Sequence, residues 1–170
     1  MTARVDWTRW TVVLCKPDAT QRGLVPQILE WVAGTVTIAT SRQVVVTREQ
    51  ILAHYADMLE LQHRFSFDVE AELVGHYVGA TVTVALAYGP GGDTARQVRD
   101  LLGHYDPSRA ARTTIRGYYG HDSEEAARTE GRFVHNLVHS SDHPADAEAD
   151  FRIWFGEPYL HVLSQEATAR

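Results

Sequence analysis

A histidine, a lone lysine and two arginines are the side chains of this sequence whose types suit them to handle phosphate. His139 lies in Asn136-Leu137-Val138-His139-Ser140-Ser141-Asp142, with His143 and Pro144 immediately after it. Asn136 to Val138 read as the end of a strand, and Asp142 or His143 can cap a helix whose first turn holds Pro144. His139 then sits where a strand meets a helix N-terminus, a place where unpaired N–H groups and the helix dipole stabilise anions. An imidazole that is neutral near pH 7 offers a free ring nitrogen as nucleophile, base or metal ligand. Lys16 is the only lysine beside fifteen arginines. Its compact ammonium is a point charge unlike the flat guanidinium fork, which makes it a candidate phosphate contact. Arg99 and Arg116 also fall at element ends or in loops. Gathered by a sheet, these four make a site for several phosphates around one imidazole, with Mg2+ bridging the substrate's own phosphates. Positioning and charge stabilisation dominate phosphoryl transfer, so little more is needed. Taken singly, each arginine reads as a solvated surface charge and the histidine as a structural one.

Trp10 to Cys15 is an apolar, β-branched run of strand length that Lys16-Pro17-Asp18 ends, after an exposed lead from Thr2 to Arg9. Leu24, Val25, Ile28, Leu29 and Val32 recur at helical spacing, so a helix is predicted over 23–33, closed by Gly34. A long β-branched strand spans 35–46. Thr47 with Gln50 forms a capping-box pattern opening a helix whose stripe is Ile51, Tyr55, Met58 and Leu59. An irregular link at 63–66 precedes a helix carrying Val69, Leu73, Val74 and Tyr77, then a strand over 80–88 and the turn Gly89-Pro90-Gly91-Gly92. Asp93 or Thr94 caps the next helix, which Gly103 ends. Residues 104–117 read as a long loop with Arg109, Arg112 and Arg116, and loops of that length tend to be functional. Residues 121–131 are polar without an apolar stripe and read as a surface insertion or marginal helix. Strand 132–138, helix 144–155 and a tail beginning at Gly156 complete the chain.

This order suggests a βαββαβ ferredoxin-like α+β sandwich, an antiparallel sheet covered by helices on one face, with a doubly wound α/β fold as the competitor. The 170 residues suit a single domain with one insertion at 121–131. The formal net charge of −6 argues against nucleic-acid binding by general electrostatics. No run of about 18 apolar residues and no apolar signal core appear, so no membrane association and a cytoplasmic location are expected. Cys15 is the only cysteine, so no internal disulfide can form, and its apolar run reads it as a buried small hydrophobe. His135, His139 and His143 are spaced four apart, as metal ligands on one helix would be, but Pro144 and Ser140-Ser141-Asp142 break such a helix.

Lys16-Pro17-Asp18 followed by Gln21-Arg22-Gly23-Leu24, then Thr114-Ile115-Arg116-Gly117, Asn136 to Asp142 and the pair Trp154-Phe155 together resemble the nucleoside diphosphate kinases, over roughly residues 10 to 157. The resemblance implies the ferredoxin-like fold and a ping-pong phosphotransferase. His139 would accept the γ-phosphate of a nucleoside triphosphate such as ATP and pass it to a nucleoside diphosphate. It implies Lys16 and Tyr55 at the transferring phosphoryl group, Arg99 and Arg116 on the other phosphates, Asn136 on the ribose, and Phe65 or Phe67 stacked on the base. Asp142 would help place Mg2+, largely through water, and a symmetric homo-oligomer is the expected assembly.

Several positions depart from the family. Tyr105 stands where a threonine is usual near the phosphates, so its hydroxyl takes over or the pocket narrows. Asp150 stands where a glutamate supports the far nitrogen of the catalytic histidine; one methylene shorter, it reaches through water or falls short. Ser140 replaces a glycine. The insertion at 121–131 covers the site or alters subunit contacts. The competing functional class is a nucleotide-binding regulatory protein of the same fold with impaired transfer, set against an enzyme that is either a general housekeeping one or narrowed to one nucleotide.

Overall fold

The computed structural model describes residues 4–168, so residues 2 and 3 of the expected lead lie outside the described part. Its strands are β1 (Trp10–Cys15), β2 (Thr37–Val45), β3 (Thr81–Tyr88) and β4 (Val138–Ser140). They form one sheet in the order β2-β3-β1-β4 with every pairing antiparallel, which is the ferredoxin-like α+β arrangement and removes the doubly wound alternative. The helices that bear on the site are α1 (Pro17–Gln21), α2 (Val25–Ala33), α3 (Arg48–His54), α4 (Ala56–Glu60), α5 (Val69–Tyr77), α6 (Thr94–Leu102), α7 (Ile115–Tyr119), α8 (Glu124–Glu130), α9 (Pro144–Trp154) and α10 (Leu160–Thr168).

The sheet is covered on both faces, not on one as the topology suggested. β1 is buried at every residue, and successive side chains of a strand point to opposite faces. Trp10, Val12 and Leu14 pack with Val84 and Leu86 against Ile51 of α3, Leu73 of α5, and Phe151 and Trp154 of α9. Val13 and Cys15 pack with Ala85 and Ala87 against Ile28 and Val32 of α2 and Val98 and Leu102 of α6. A continuous apolar run such as Val12-Val13-Leu14 is therefore the mark of a strand enclosed on both sides.

Local chemistry sets most boundaries where the sequence placed them. Thr47 Oγ1 accepts from Gln50 N–H while Gln50 Oε1 accepts from Thr47 N–H, the reciprocal cap that starts α3. The predicted helix nevertheless breaks at Tyr55, whose backbone (φ −106°, ψ 29°) separates α3 from α4. The predicted strand over 132–138 reduces to Val138, and β4 runs on to Ser140 instead. Cys15 pairs with Val138 at the end of β1; beyond it Pro17 has no N–H and opens α1, leaving residues 132–136 no strand to pair with. Their polar groups turn to side chains, as where His135 N–H donates to Asp122.

Three segments for which no definite element was predicted are helical in part, and for 121–131 this is the marginal helix the sequence allowed. Residues 104–117 contain a 3-10 turn at Pro107–Arg109 and the start of α7. The 121–131 insertion folds as α8, with Ser123 as N-cap and Ala127 buried. After Gly156 a 3-10 turn at Glu157–Tyr159 leads into α10, where Val162 and Leu163 are buried in the core. Among the described residues no helix is long and apolar enough to cross a membrane.

Candidate active site

One cavity of about 1370 Å3 is lined by Lys16, His54, Tyr55, Phe65, Phe67, Arg99, Tyr105, Arg116, Asn136, His139, Asp142 and Asp150, so every site residue expected from the sequence meets it. His139 is the middle residue of β4, paired with Leu14, and not the last side chain of a strand. It emerges from a tight turn. Leu137 holds a left-handed φ of 72°, unusual for a branched residue, and Val138 N–H reaches back to Asn136 O at 2.8 Å. Two contacts pin that turn: Leu137 N–H donates to Asp18 Oδ2 at 2.9 Å, and Lys16 N–H donates to Leu137 O at 2.8 Å. The Lys16-Pro17-Asp18 corner thus fixes the backbone that presents the imidazole.

Lys16 Nζ donates to Asn136 Oδ1 at 2.7 Å, and Asn136 Nδ2 donates to Tyr105 O at 2.8 Å. Burial, then the nearby Arg116, lowers the Lys16 ammonium to about 8 against the opposing pull of Asp18. Burial is also the first cause that holds His139 well below the ordinary imidazole range, followed by its neighbours His54, Lys16, Arg116 and Arg99. The imidazole is accordingly neutral at physiological pH, as a nucleophile must be.

Arg116 is buried and braced. Its Nη1 donates to Gly103 O at 2.9 Å and its Nη2 to Val138 O at 2.6 Å, while Nε has no partner among the described residues. The Thr114-Ile115-Arg116-Gly117 run makes this possible. Thr114 caps α7 by accepting from Gly117 N–H, and a Cβ at Gly117 would lie 2.0 Å from Ala111 O, so only glycine fits. Arg99, at the end of α6, is half exposed and pairs with Asp142 Oδ1 at 2.7 Å. A half-exposed carboxylate on the cavity rim suits Mg2+, which keeps several waters and substrate phosphate oxygens around one or two protein ligands. Among the described residues no group of three His, Cys, Asp or Glu forms a metal cage.

Tyr55 Oη lies 3.0 Å from Tyr77 Oη, and its ring stands 6.0 Å from His139. Phe65 and Phe67 are 5.4 Å apart and both meet Phe133, at 5.2 and 5.0 Å, so neither phenylalanine of the link is set apart from the other. The Tyr105 hydroxyl points to the insertion, donating to Glu124 Oε2 of α8 at 2.8 Å. The base of that insertion is held by Arg132, whose Nη1 and Nη2 both donate to Asp122, at 2.6 and 3.1 Å. Glu124, Ala127 and Arg128 line the cavity, so α8 forms part of its wall.

Asp150 makes no hydrogen bond to His139. Its Oδ1 lies 2.8 Å from His54 Nδ1, and its Oδ2 accepts from Ser141 Oγ at 2.7 Å. His54 and Phe133 belong to this site and were not singled out from the sequence. A histidine beside Tyr55 and a phenylalanine three residues before Asn136 were the signals available. His135 leaves the histidine series altogether and stacks on His76 at 4.6 Å.

A family model described as nucleoside diphosphate kinase matches residues 9–159. A nucleoside diphosphate kinase from Pyrobaculum aerophilum is 31% identical over 86% of this chain and 94% of its own, and one from a Nocardioides species is 35% identical over 85% and 95%. The solved structure of an NDP kinase from Pyrobaculum aerophilum aligns with a TM-score of 0.74 at 29% identity, covering 88% of this chain and 97% of its own. A Borrelia burgdorferi nucleoside-diphosphate kinase, solved with bound vanadate and ADP, has the same fold, with a TM-score of 0.78 at 24% identity over 88% of each chain.

Proposed function

The chain belongs to the nucleoside diphosphate kinase family, and from that premise we propose that it transfers the γ-phosphate of a nucleoside triphosphate to a nucleoside diphosphate through phosphorylated His139. Phosphoryl transfer between nucleotides is the activity of the family. What carries it is a neutral imidazole that lines the same cavity as the lysine and the two arginines.

In the first half-reaction a lone pair of the His139 ring attacks the γ-phosphorus while the bond from that phosphorus to the bridging β,γ-oxygen breaks. The nucleoside diphosphate leaves with that electron pair. In the second, a terminal β-oxygen of the acceptor attacks the phosphorus of phosphohistidine and the P–N bond returns its electrons to the ring. Lys16 and Tyr55 meet the transferring phosphoryl group, where the ammonium neutralises the negative charge shared by its oxygens, and Arg116 and Arg99 meet the remaining phosphates. Asn136 holds Lys16 and has its second contact on the Tyr105 backbone, which suits it to set the sugar beside the phosphates. The Phe65, Phe67 and Phe133 cluster offers apolar faces on which any base can stack. Asp142 would hold magnesium, largely through water, and the metal would supply charge neutralisation at the phosphates. Symmetric self-assembly belongs to the same reading.

Initial velocities measured against both nucleotides test the route. Parallel double-reciprocal lines are expected of a covalent carrier, whereas lines meeting at one point require both nucleotides to bind together and exclude it.

A further inference from the structure

His54 ends α3 with a side chain only 1% exposed, between Asp150 of α9 and His139 of β4. Asp150 Oδ1 lies 2.8 Å from His54 Nδ1, and the Trp154 indole nitrogen lies 3.2 Å from the same atom. A carboxylate only accepts and an indole only donates, so one ring nitrogen cannot satisfy both. The shorter, charge-assisted contact is to Asp150, which assigns the proton to Nδ1 and fixes which way the ring faces. Asp150 is itself held to the sheet: its Oδ2 accepts from Ser141 Oγ at 2.7 Å, and Ser141 Oγ accepts from Val12 N–H at 3.2 Å.

On its other side the His54 ring stands perpendicular to that of His139, with centroids 5.0 Å apart and planes at 89°. Tyr55 closes the same cluster at 4.6 Å from His54. His54 Nε2 is buried and has no partner among the described residues, a cost that an apolar packing residue at this position would avoid. A chain of polar contacts thus runs from the sheet through Ser141 and Asp150 to His54 and ends on the ring of His139.

We propose that His54 is the positioning residue for His139: Asp150 fixes the His54 ring, and the perpendicular contact between the two imidazoles sets how the nucleophile faces the incoming phosphorus. Asp150 then acts on His139 only through His54. The inference rests on the proposed role of His139 as phosphoryl carrier, and it assigns the orienting function to a residue outside that reading. A contact that sets an angle acts on the rate of the chemical step and leaves nucleotide affinity alone, because small misplacements of a reacting atom are felt in the transition state.

A double-mutant cycle with a spectroscopic readout tests this. His54→Ala and His54→Asn should each lower kcat by about 10- to 100-fold with KM for the diphosphate changed by less than about twofold. Asp150→Asn should lower kcat similarly in the wild-type background but by less than about twofold in either His54 variant, since the two act in series. His54→Asn keeps a donor toward Asp150 and removes only the ring, which covers the case in which the alanine variant does not fold. In nucleotide-free protein, the ring shifts and line shapes of His139 should report one ring orientation in the wild type and exchange between orientations in His54→Asn. An unchanged kcat in His54→Asn, an equal loss from Asp150→Asn in both backgrounds, or unaltered His139 ring shifts would each overturn the proposal. The shift measurement needs no turnover, so it separates this inference from the phosphohistidine reading. A wild type that never becomes phosphorylated defeats that reading, while the ring shifts still decide whether His54 positions His139.

Discussion

The ammonium of Lys16 donates to Asn136 Oδ1 at 2.7 Å, joining the end of β1 to the turn that precedes β4. One lysine therefore connects the two segments that flank the imidazole, and its shape matters as much as its charge. Replacement by arginine keeps the charge but puts a planar fork where a compact ammonium fits. Lys16→Arg is expected to lower kcat/KM by about 100-fold, roughly 2.7 kcal/mol of transition-state stabilisation. Asn136→Ala should cost about tenfold by freeing the same ammonium. Steady-state kinetics of both variants check this; activity close to wild type in Lys16→Arg would mean that only charge is used.

The pH profile follows from the two shifted groups. His139 is held below the ordinary imidazole value of 6.5, chiefly by burial, so it stays unprotonated as pH falls past the point where a free histidine would charge. The acid limb of the phosphorylation rate should accordingly lie below that value. Lys16 must be protonated to serve the phosphates, and burial lowers it to about 8, so kcat/KM should fall as pH rises through that region. Bound phosphate favours the ammonium, and the corresponding limb in kcat should move to higher pH. Rapid-quench measurement of phosphorylation across pH 5 to 10 reads both limbs.

The turn at Leu137 predicts a stability effect at a distance in sequence. Asp18→Ala removes the acceptor of Leu137 N–H, whose partly buried backbone group then has no partner, at a left-handed residue already costly to hold. A loss of about 1–3 kcal/mol is expected, read from the urea midpoint at an unchanged slope. Asp18→Asn retains an acceptor and should recover most of it.

Tyr105 and Glu124 form a latch between the 104–117 segment and α8. The contact is exposed, Tyr105 being 47% accessible, so its loss in Tyr105→Phe should change global stability by less than about 1 kcal/mol. Its local effect should be larger, with faster amide exchange over residues 124–130 and a KM for nucleotide raised about three- to tenfold as the cavity wall loosens. Unchanged exchange in α8 would show that the Asp122–Arg132 pair alone holds the insertion.

The parts of this fold that were legible in the sequence are those written in local chemistry. The Thr47 and Gln50 cap, the apolar period of Ile28 and Val32, and the turn at 89–92 all act within a few residues of themselves. The Lys16, Arg116, Asn136 and His139 blocks were recognisable together, through their resemblance to the nucleoside diphosphate kinases. What was not legible depends on partners far apart in the chain. Strand 132–138 has suitable residues, but its length is set by Pro17, more than a hundred positions away. The insertion shows no apolar stripe because polar contacts hold it, through Tyr105, Asp122 and Arg132, and composition does not say which charges pair. Nothing local sets His54 apart in a segment that reads as one helix through Leu59, and only the fold brings Asp150 to it from 96 positions away.

The covalent carrier is tested most directly by intact mass spectrometry of the protein exposed to a nucleoside triphosphate with no acceptor present. The account predicts the gain of one phosphoryl group per chain, labile to acid and stable to alkali, absent in His139→Ala and discharged when a nucleoside diphosphate is added. No adduct in the wild type, or the same adduct persisting in His139→Ala, would contradict it.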